Sequence, residues 1–136
     1  MRILSIDPGR KYIGLAISDS TGTIANPFAT ICHRSYKEDA SSILMVAEEY
    51  KVEEIVIGIS FEDTGEMNFA GRLSTRLGEA IKSISKLPIV FWDEAFTTQE
   101  ARTARIKMGS KKKKRSGHLD SLAAVVLLQS YLDRDL

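Results

Sequence analysis

RILSIDPGRKYIGLAIS, from Arg2 to Ser18, is the stretch on which the fold turns. Arg2 to Asp7 is β-branched and apolar and is stopped by Pro8-Gly9, and Tyr12 to Ser18 alternates as an antiparallel partner would. A second turn, Asp19-Ser20-Thr21-Gly22, leads to a third strand over Thr23 to Ile31, weakened near Pro27, which brings no N–H to a ladder. The opening is an antiparallel meander, and Asp19 reads as one of its turn residues.

Beyond the meander, Ile43, Leu44, Val46, Ala47 and Tyr50 recur at helical spacing and predict a helix over Tyr36 to Tyr50. Glu54 to Ile59, EIVIGI, is short and almost wholly apolar, as a central strand covered on both faces must be, and is expected beside strand one in parallel. Phe61 to Asn68 is polar, with a turn at Thr64-Gly65, and precedes a helical pattern through Leu73, Leu77, Ala80, Ile81 and Ile84. Leu87 to Trp92 reads as another buried strand, with Phe91 and Trp92 in the core, ending at Asp93-Glu94. Thr97 and Glu100 have capping-box spacing and predict a short helix that Met108-Gly109-Ser110 ends. His118 to Leu132 is a long apolar helix whose Ala123-Ala124 pair lets it lie close to a sheet. This order predicts an α/β fold: a mixed five-stranded sheet, strand one central, helices on both faces, in one domain.

A chain of 136 residues has room for one such core and not for two full domains. At 43% hydrophobic and 27% charged it is neither a disordered chain nor a membrane span, and MRILSID passes into a strand without a secretory pattern, so a cytoplasmic protein without a membrane partner is expected. Cys32 is the lone cysteine, and with only His33 and His118 besides, a structural zinc site lacks ligands. The net charge of +1 hides a division: Ala101 to Leu119 holds eight basic residues and no acid, leaving 11 basic against 18 acidic elsewhere. A cationic segment on an acidic molecule points to a polyanion met by one face. Five adjacent cations repel, so Ser110 to Gly117 is expected to be mobile without nucleic acid.

Three acidic positions break the local pattern. Asp7 and the pair Asp93-Glu94 end strands, and Asp120 falls in the first turn of a helix otherwise built for burial, with Ala124 and Leu127 on its face. Strand ends of this kind share one rim, where open α/β sheets bind ligands. Carboxylates forced together repel unless a cation neutralises them, and oxygen-only ligation favours Mg²⁺ or Mn²⁺. Two such ions about 3.5–4 Å apart can drive in-line phosphodiester displacement. The competing structural readings are a helix-dipole role for Asp120 and a turn role for Asp7. Thr97 is accounted for by capping, and Thr98 is left over to touch substrate.

DPGRKYIGLAISD, Asp7 to Asp19, resembles the DxGxKxxGxAxSD opening of the YqgF/RuvX family, RNase H-like proteins assigned to Holliday junction resolution and to pre-16S rRNA processing. In order along the chain, IVIGIS with Gly65 resembles VxGLPxxxxG, DEAFTT resembles DERLTT, and KKKKRSGHLDSLAAVVLLQSYLD resembles the family's basic loop and last helix. The resemblance implies a metal-dependent nuclease with Asp7, Glu94 and Asp120 as catalytic acids, and Mg²⁺ or Mn²⁺ held by these and Asp93. It implies contacts to an rRNA precursor or branched DNA through Lys11, Thr98, Lys111, Lys112, Lys113, Lys114 and Arg115. Ala95 stands where DER has arginine, removing a bidentate phosphate binder from the rim; Ser60 replaces the proline of GLP, and Glu62 a usual asparagine.

Two other functions compete. An actin-like or sugar-kinase ATPase also opens with Asp-x-Gly and a hairpin, but closes two such domains around its nucleotide. A non-catalytic binder would keep the basic loop and leave the carboxylates idle. A homodimer with a shared basic surface would suit a four-way junction, and a monomer a single-stranded RNA end. Neutralising Lys111 to Lys114 is expected to weaken binding of all sequences alike and to flatten the salt dependence of log K, because phosphate contacts release counterions without reading bases. Anisotropy titrations across salt concentrations check this, and an unchanged slope would show that another element binds.

Overall fold

The computed structural model describes residues 1–96 and 116–136, without the side chains of 96 and 116–120. The elements are β1 (Ile3–Pro8), β2 (Tyr12–Ser18), β3 (Ala25–Cys32), α1 (Tyr36–Glu49), β4 (Glu54–Ile59), α2 (Phe69–Ile84), β5 (Ile89–Asp93), a 3-10 turn (Glu94–Phe96) and α3 (Ser116–Leu132). The sheet order is β3-β2-β1-β4-β5, antiparallel across β3-β2-β1 and parallel across β1-β4-β5. Strand one is therefore central and flanked as expected. The predicted capping box at Thr97 to Glu100, and the short helix after it, lie outside the described residues.

Strand alternation divides the interior into two cores. Leu4 and Ile6 of β1, Ile13 and Leu15 of β2, and Ile55 and Ile57 of β4 point to α1 and α2, where Ile43, Ala47, Leu77 and Ile81 complete one cluster. Ile3, Ala16 and Val56 point to the other face, against Ala124, Leu128 and Tyr131 of α3. Both faces of the sheet are covered, which is why Ile55 to Ile59 is apolar throughout. Phe91 packs against the first cluster and Trp92 against the second, so both belong to the core as the sequence implies. β3, at the edge, slips register between Leu15 and Ala16 opposite Ala29 and Pro27, a bulge where the proline weakens the ladder. Among the described residues no helix is long and apolar enough to cross a membrane.

Two boundaries differ from expectation for local reasons. α2 begins at Phe69, ahead of its apolar periodicity, because the Asn68 side chain caps it by accepting from the Gly71 N–H. The described part of α3 runs from Ser116, so the helix extends further toward the N-terminus than the expected His118.

Asp19 is the turn residue the sequence implies. Its Oδ1 accepts from the backbone N–H of Thr23 (2.8 Å) and Ile24 (3.0 Å), and its Oδ2 from the Thr21 hydroxyl. These bonds, that of Ile24 first, then Thr21 and Thr23, hold its carboxyl well below the usual carboxylate range. A depressed folded-state pKa contributes stability that is present above the unfolded value of about 3.9 and is lost as pH falls through the lower folded value. Asp19→Ala should therefore lower the melting temperature at neutral pH, with the difference from wild type shrinking as pH drops below the ordinary carboxylate range. Thermal melts across pH check this, and a pH-independent difference would contradict it.

Candidate functional site

Asp7 is the next-to-last residue of β1 and, two residues after Ser5 and four after Ile3, points to the α3 face of the sheet. It is half-buried. Its cross-strand partner on β2 is Gly14. On the other side Ile6 pairs with Ile57, so the next step of the parallel register sets Gly58 of β4 beside Asp7. The carboxylate thus emerges between two residues that have no side chain, at strand spacings of about 4.8 Å. Neither glycine stood out in the sequence as part of the site, although a lone glycine in a strand commonly marks a close approach.

The space over Gly58 is used. A side-chain carbon built on Gly58 would lie 3.3 Å from Glu94 Oε1 and 2.9 Å from Leu127 Cδ2 of α3. The Glu94 carboxylate therefore lies over Gly58, next to Asp7. Asp93 is occupied differently: its Oδ1 accepts from the Ala95 N–H at 2.9 Å and starts the 3-10 turn. The two adjacent acids, indistinguishable by spacing, separate into one that shapes the chain and one that reaches the rim.

α3 runs antiparallel to β1 and is tied along its length. The Tyr131 hydroxyl donates to Glu54 Oε1 (2.8 Å), and burial, then Glu54, raises its pKa. Ser5 Oγ donates to the Ala124 carbonyl (2.8 Å), and Ser121 Oγ to the carbonyl of Leu15, the residue paired with Ile6 (3.3 Å). From Ala124 to Asp120 the helix advances about 6 Å, and from Ser5 to Asp7 the strand advances about 6.6 Å in the same direction. The backbone of Asp120 consequently reaches the level of Asp7. Its side chain lies outside the description, and among the described residues no three His, Cys, Asp or Glu side chains gather to hold a metal.

Lys11 is exposed on the hairpin after Asp7, where Gly9 leaves no room for a side chain: an added carbon would lie 2.6 Å from the Tyr12 carbonyl. The Lys11 carbonyl accepts from the His33 N–H (2.8 Å). His33 is itself held by Asp39, Nδ1 to Oδ2 at 2.5 Å, with the carboxylate almost fully buried and its other oxygen accepting from Arg34 N–H (3.0 Å). This pair went unread in the sequence, where Asp39 sits on the polar side of the helix pattern. Thr98, Lys111, Lys112, Lys113, Lys114 and Arg115 fall outside the described residues. The structure therefore sets Asp7 beside Gly58, the residue over which Glu94 lies, brings the Asp120 backbone to the same end of the sheet, and sets Lys11 on the adjoining turn.

The model of the RuvX family, described as Holliday junction resolvase, matches residues 1–134. A protein of Caldanaerobacter subterraneus subsp. tengcongensis is 39% identical over 134 residues, covering 98% of this chain and 96% of that protein. One of Thermoanaerobacter pseudethanolicus is 41% identical over 134 residues with the same coverage, 98% and 96%. Each bears the name "Putative pre-16S rRNA nuclease". Among solved structures, Thermus thermophilus RuvC in complex with Holliday junction substrate superposes with a TM-score of 0.59 at 16% identity, over 99% of this chain and 96% of that one. Fowlpox virus resolvase with junction DNA superposes with a TM-score of 0.62 at 17% identity, over 100% and 99%. At that identity the likeness establishes the fold, which is RNase H-like.

Gly58→Ala should press on Leu127 and Glu94 together. Overpacking of this kind destabilises by about 1–3 kcal/mol. Leu127, 2% exposed, should lose about 2–4 kcal/mol on truncation to alanine. In the double variant the new methyl occupies part of the vacated space, so the losses should fall short of additive by about 0.5–2 kcal/mol. Urea denaturation of the three variants checks this; additive losses would mean that the two residues do not share the notch.

Proposed function

Because the chain belongs to the RuvX family, we propose that residues 1–136 form one nuclease domain, a hydrolase that cuts phosphodiester bonds of structured nucleic acid with Mg²⁺ or Mn²⁺ in the cytoplasm. The observation that carries this reading is the Glu94 carboxylate lying over Gly58 beside Asp7. Acids that were only turn formers or helix caps would have no reason to converge over a glycine. The names of the relatives at 39% and 41% identity favour the pre-16S rRNA precursor over a DNA junction, and the reading takes the precursor's 5′ end as the substrate.

The donor set fits a hard divalent cation. Asp7 and Glu94 offer oxygen only, on a half-buried rim. With Asp120 they would hold the ion, and Asp93 would contribute at most the oxygen its cap leaves free. Such an ion supplies a lowered water pKa and neutralises charge at the scissile phosphate. The protein's own share is to fix the acids on a strand end, a turn and a packed helix, so that little reorganisation is needed during reaction. Lys11, exposed and steadied through its carbonyl by His33, would hold a neighbouring phosphate. Thr98 would touch the strand, and Lys111 to Arg115 would grip its backbone without reading sequence.

Labelled precursor rRNA and labelled junction DNA, incubated side by side with Mg²⁺ or Mn²⁺, test the proposal. Asp7→Asn should reduce cleavage by at least about 10²-fold, the loss typical of a charged transition-state partner, while nucleic-acid affinity stays near wild type. Chelation should abolish cleavage and either cation restore it. If the protein cuts neither substrate under any divalent cation, yet binds both regardless of Asp7→Asn, it is a non-catalytic binder.

A further inference from the structure

Phe69 opens α2 with its ring 44% exposed, an uncommon place for a phenylalanine. It does not serve the core. The buried face of α2 carries Gly71, Ser74, Leu77, Gly78 and Ile81, and at 3.6 residues per turn Phe69 points about 140° away from the middle of that face. It does not cap the helix either, because Asn68 does so. What it holds is a pair of cations. The Arg10 guanidinium carbon lies 4.3 Å from the ring centroid and that of Arg72 5.9 Å, and Arg72 is fixed by a 3.0 Å hydrogen bond to the Met67 carbonyl. Arg10 comes from the hairpin after Asp7, so the stack spans from the β1–β2 turn to the start of α2.

The position of the ring is rigidly set. A side-chain carbon on Gly71 would lie 2.5 Å from the Ser60 carbonyl, so α2 begins in contact with the exit of β4. Ser60 Oγ donates to Asn68 Oδ1 (2.8 Å), which locks the capping residue to that exit. Ser60 follows Gly58, over which Glu94 lies, by two residues, and Arg10 follows Asp7 by three, a reach of at most about 11 Å. An exposed aromatic with guanidinium groups close by is the chemistry that stacks a nucleobase and meets its phosphates, with no demand on base identity. Glu62, Asp63 and Glu66, exposed on the preceding loop, disfavour phosphate on their side. The neutral ring is what a strand can use there, and its backbone charge is met at Arg10 and Lys11.

We propose that Phe69, with Arg10 and Arg72, is a stacking platform for an unpaired base of the nucleic-acid strand whose neighbouring phosphodiester lies at the Asp7–Glu94 rim. The inference rests on the nuclease reading and narrows its substrate to strands that present an unstacked base, which a fully paired duplex does not. Such a base is available at a single-stranded RNA end and at the crossover of a DNA junction.

The test measures equilibrium binding by fluorescence anisotropy, in chelator so that nothing is cut, of a single-stranded RNA, a four-way DNA junction and a fully paired duplex. Phe69→Leu keeps the charge and an apolar side chain but removes the π face. It should weaken binding to the single strand, to the junction or to both by about 5- to 100-fold, leave the duplex unchanged and leave the melting temperature near wild type. The probe that loses more identifies the source of the base, and Phe69→Trp should restore its affinity. Wild-type affinity of Phe69→Leu for all three probes, or an equal loss on the duplex, overturns the platform. Cleavage by Asp7→Asn, measured separately, tests the rim: if that variant cuts while Phe69→Leu loses single-strand affinity, the platform stands and the carboxylate assignment falls.

Discussion

The hydrogen bond from Ser5 Oγ to the Ala124 carbonyl is the contact on which the rest of the molecule depends. A side-chain hydroxyl on a central strand can reach the backbone of a helix only where the helix axis lies close, and closeness requires small residues on both sides. They are present: Ser5, Ala16 and Gly58 on the sheet, Ser121 and Ala124 on α3. Larger side chains here would lift α3, separate Leu127 from Gly58 and draw the start of the helix away from the end of β1. Close packing in the second core thus sets the geometry of the rim, and stability and site cannot be varied independently along this face.

Much of the fold was legible because two periodicities are written without interruption. β2 and β4 run as their alternation and apolarity imply, Tyr12–Ser18 and Glu54–Ile59, and α1 stops at Glu49 against an expected end at Tyr50. Boundaries blurred where hydrogen bonding, not hydrophobicity, decides them. α2 starts four residues before its first apolar marker, Leu73, because an asparagine side chain captures a backbone donor. β5 begins at Ile89, beyond the Leu87 that apolarity suggests, although the Pro88 carbonyl already accepts from the Ile55 N–H (2.9 Å).

The acids of the rim were legible as pattern breakers, since a carboxylate at a strand end or on an apolar helix face demands a reason. Their division of labour was not. Asp93 and Glu94 are adjacent, and alternation alone would send them to opposite faces without saying which matters. The decision comes from the chain leaving the strand at Asp93, whose own side chain stabilises the departure, so that Glu94 swings over β4. The room it needs is written in the sequence as glycines within strands, a signal that a turn-rich hairpin and an apolar strand carry equally well. The His33–Asp39 pair left no such trace, because its members meet only once β3 and α1 have been joined.

Charge explains why the basic residues stand apart from the acids. Outside Ala101 to Leu119 the chain carries 11 basic against 18 acidic residues, a surface that repels a polyanion within a Debye length of about 8–10 Å. In the proposed nuclease, carboxylates held at the rim to bind a cation would add to that repulsion where a phosphate would arrive. Distributing lysines around the rim would neutralise the acids and compete for the cation's ligands. In the sequence they are concentrated just before the helix that Ser5 holds down. The aromatic ring of Phe69 complements this arrangement, since stacking on a base is indifferent to the sign of the surrounding field and can hold a strand where the acids forbid a phosphate contact.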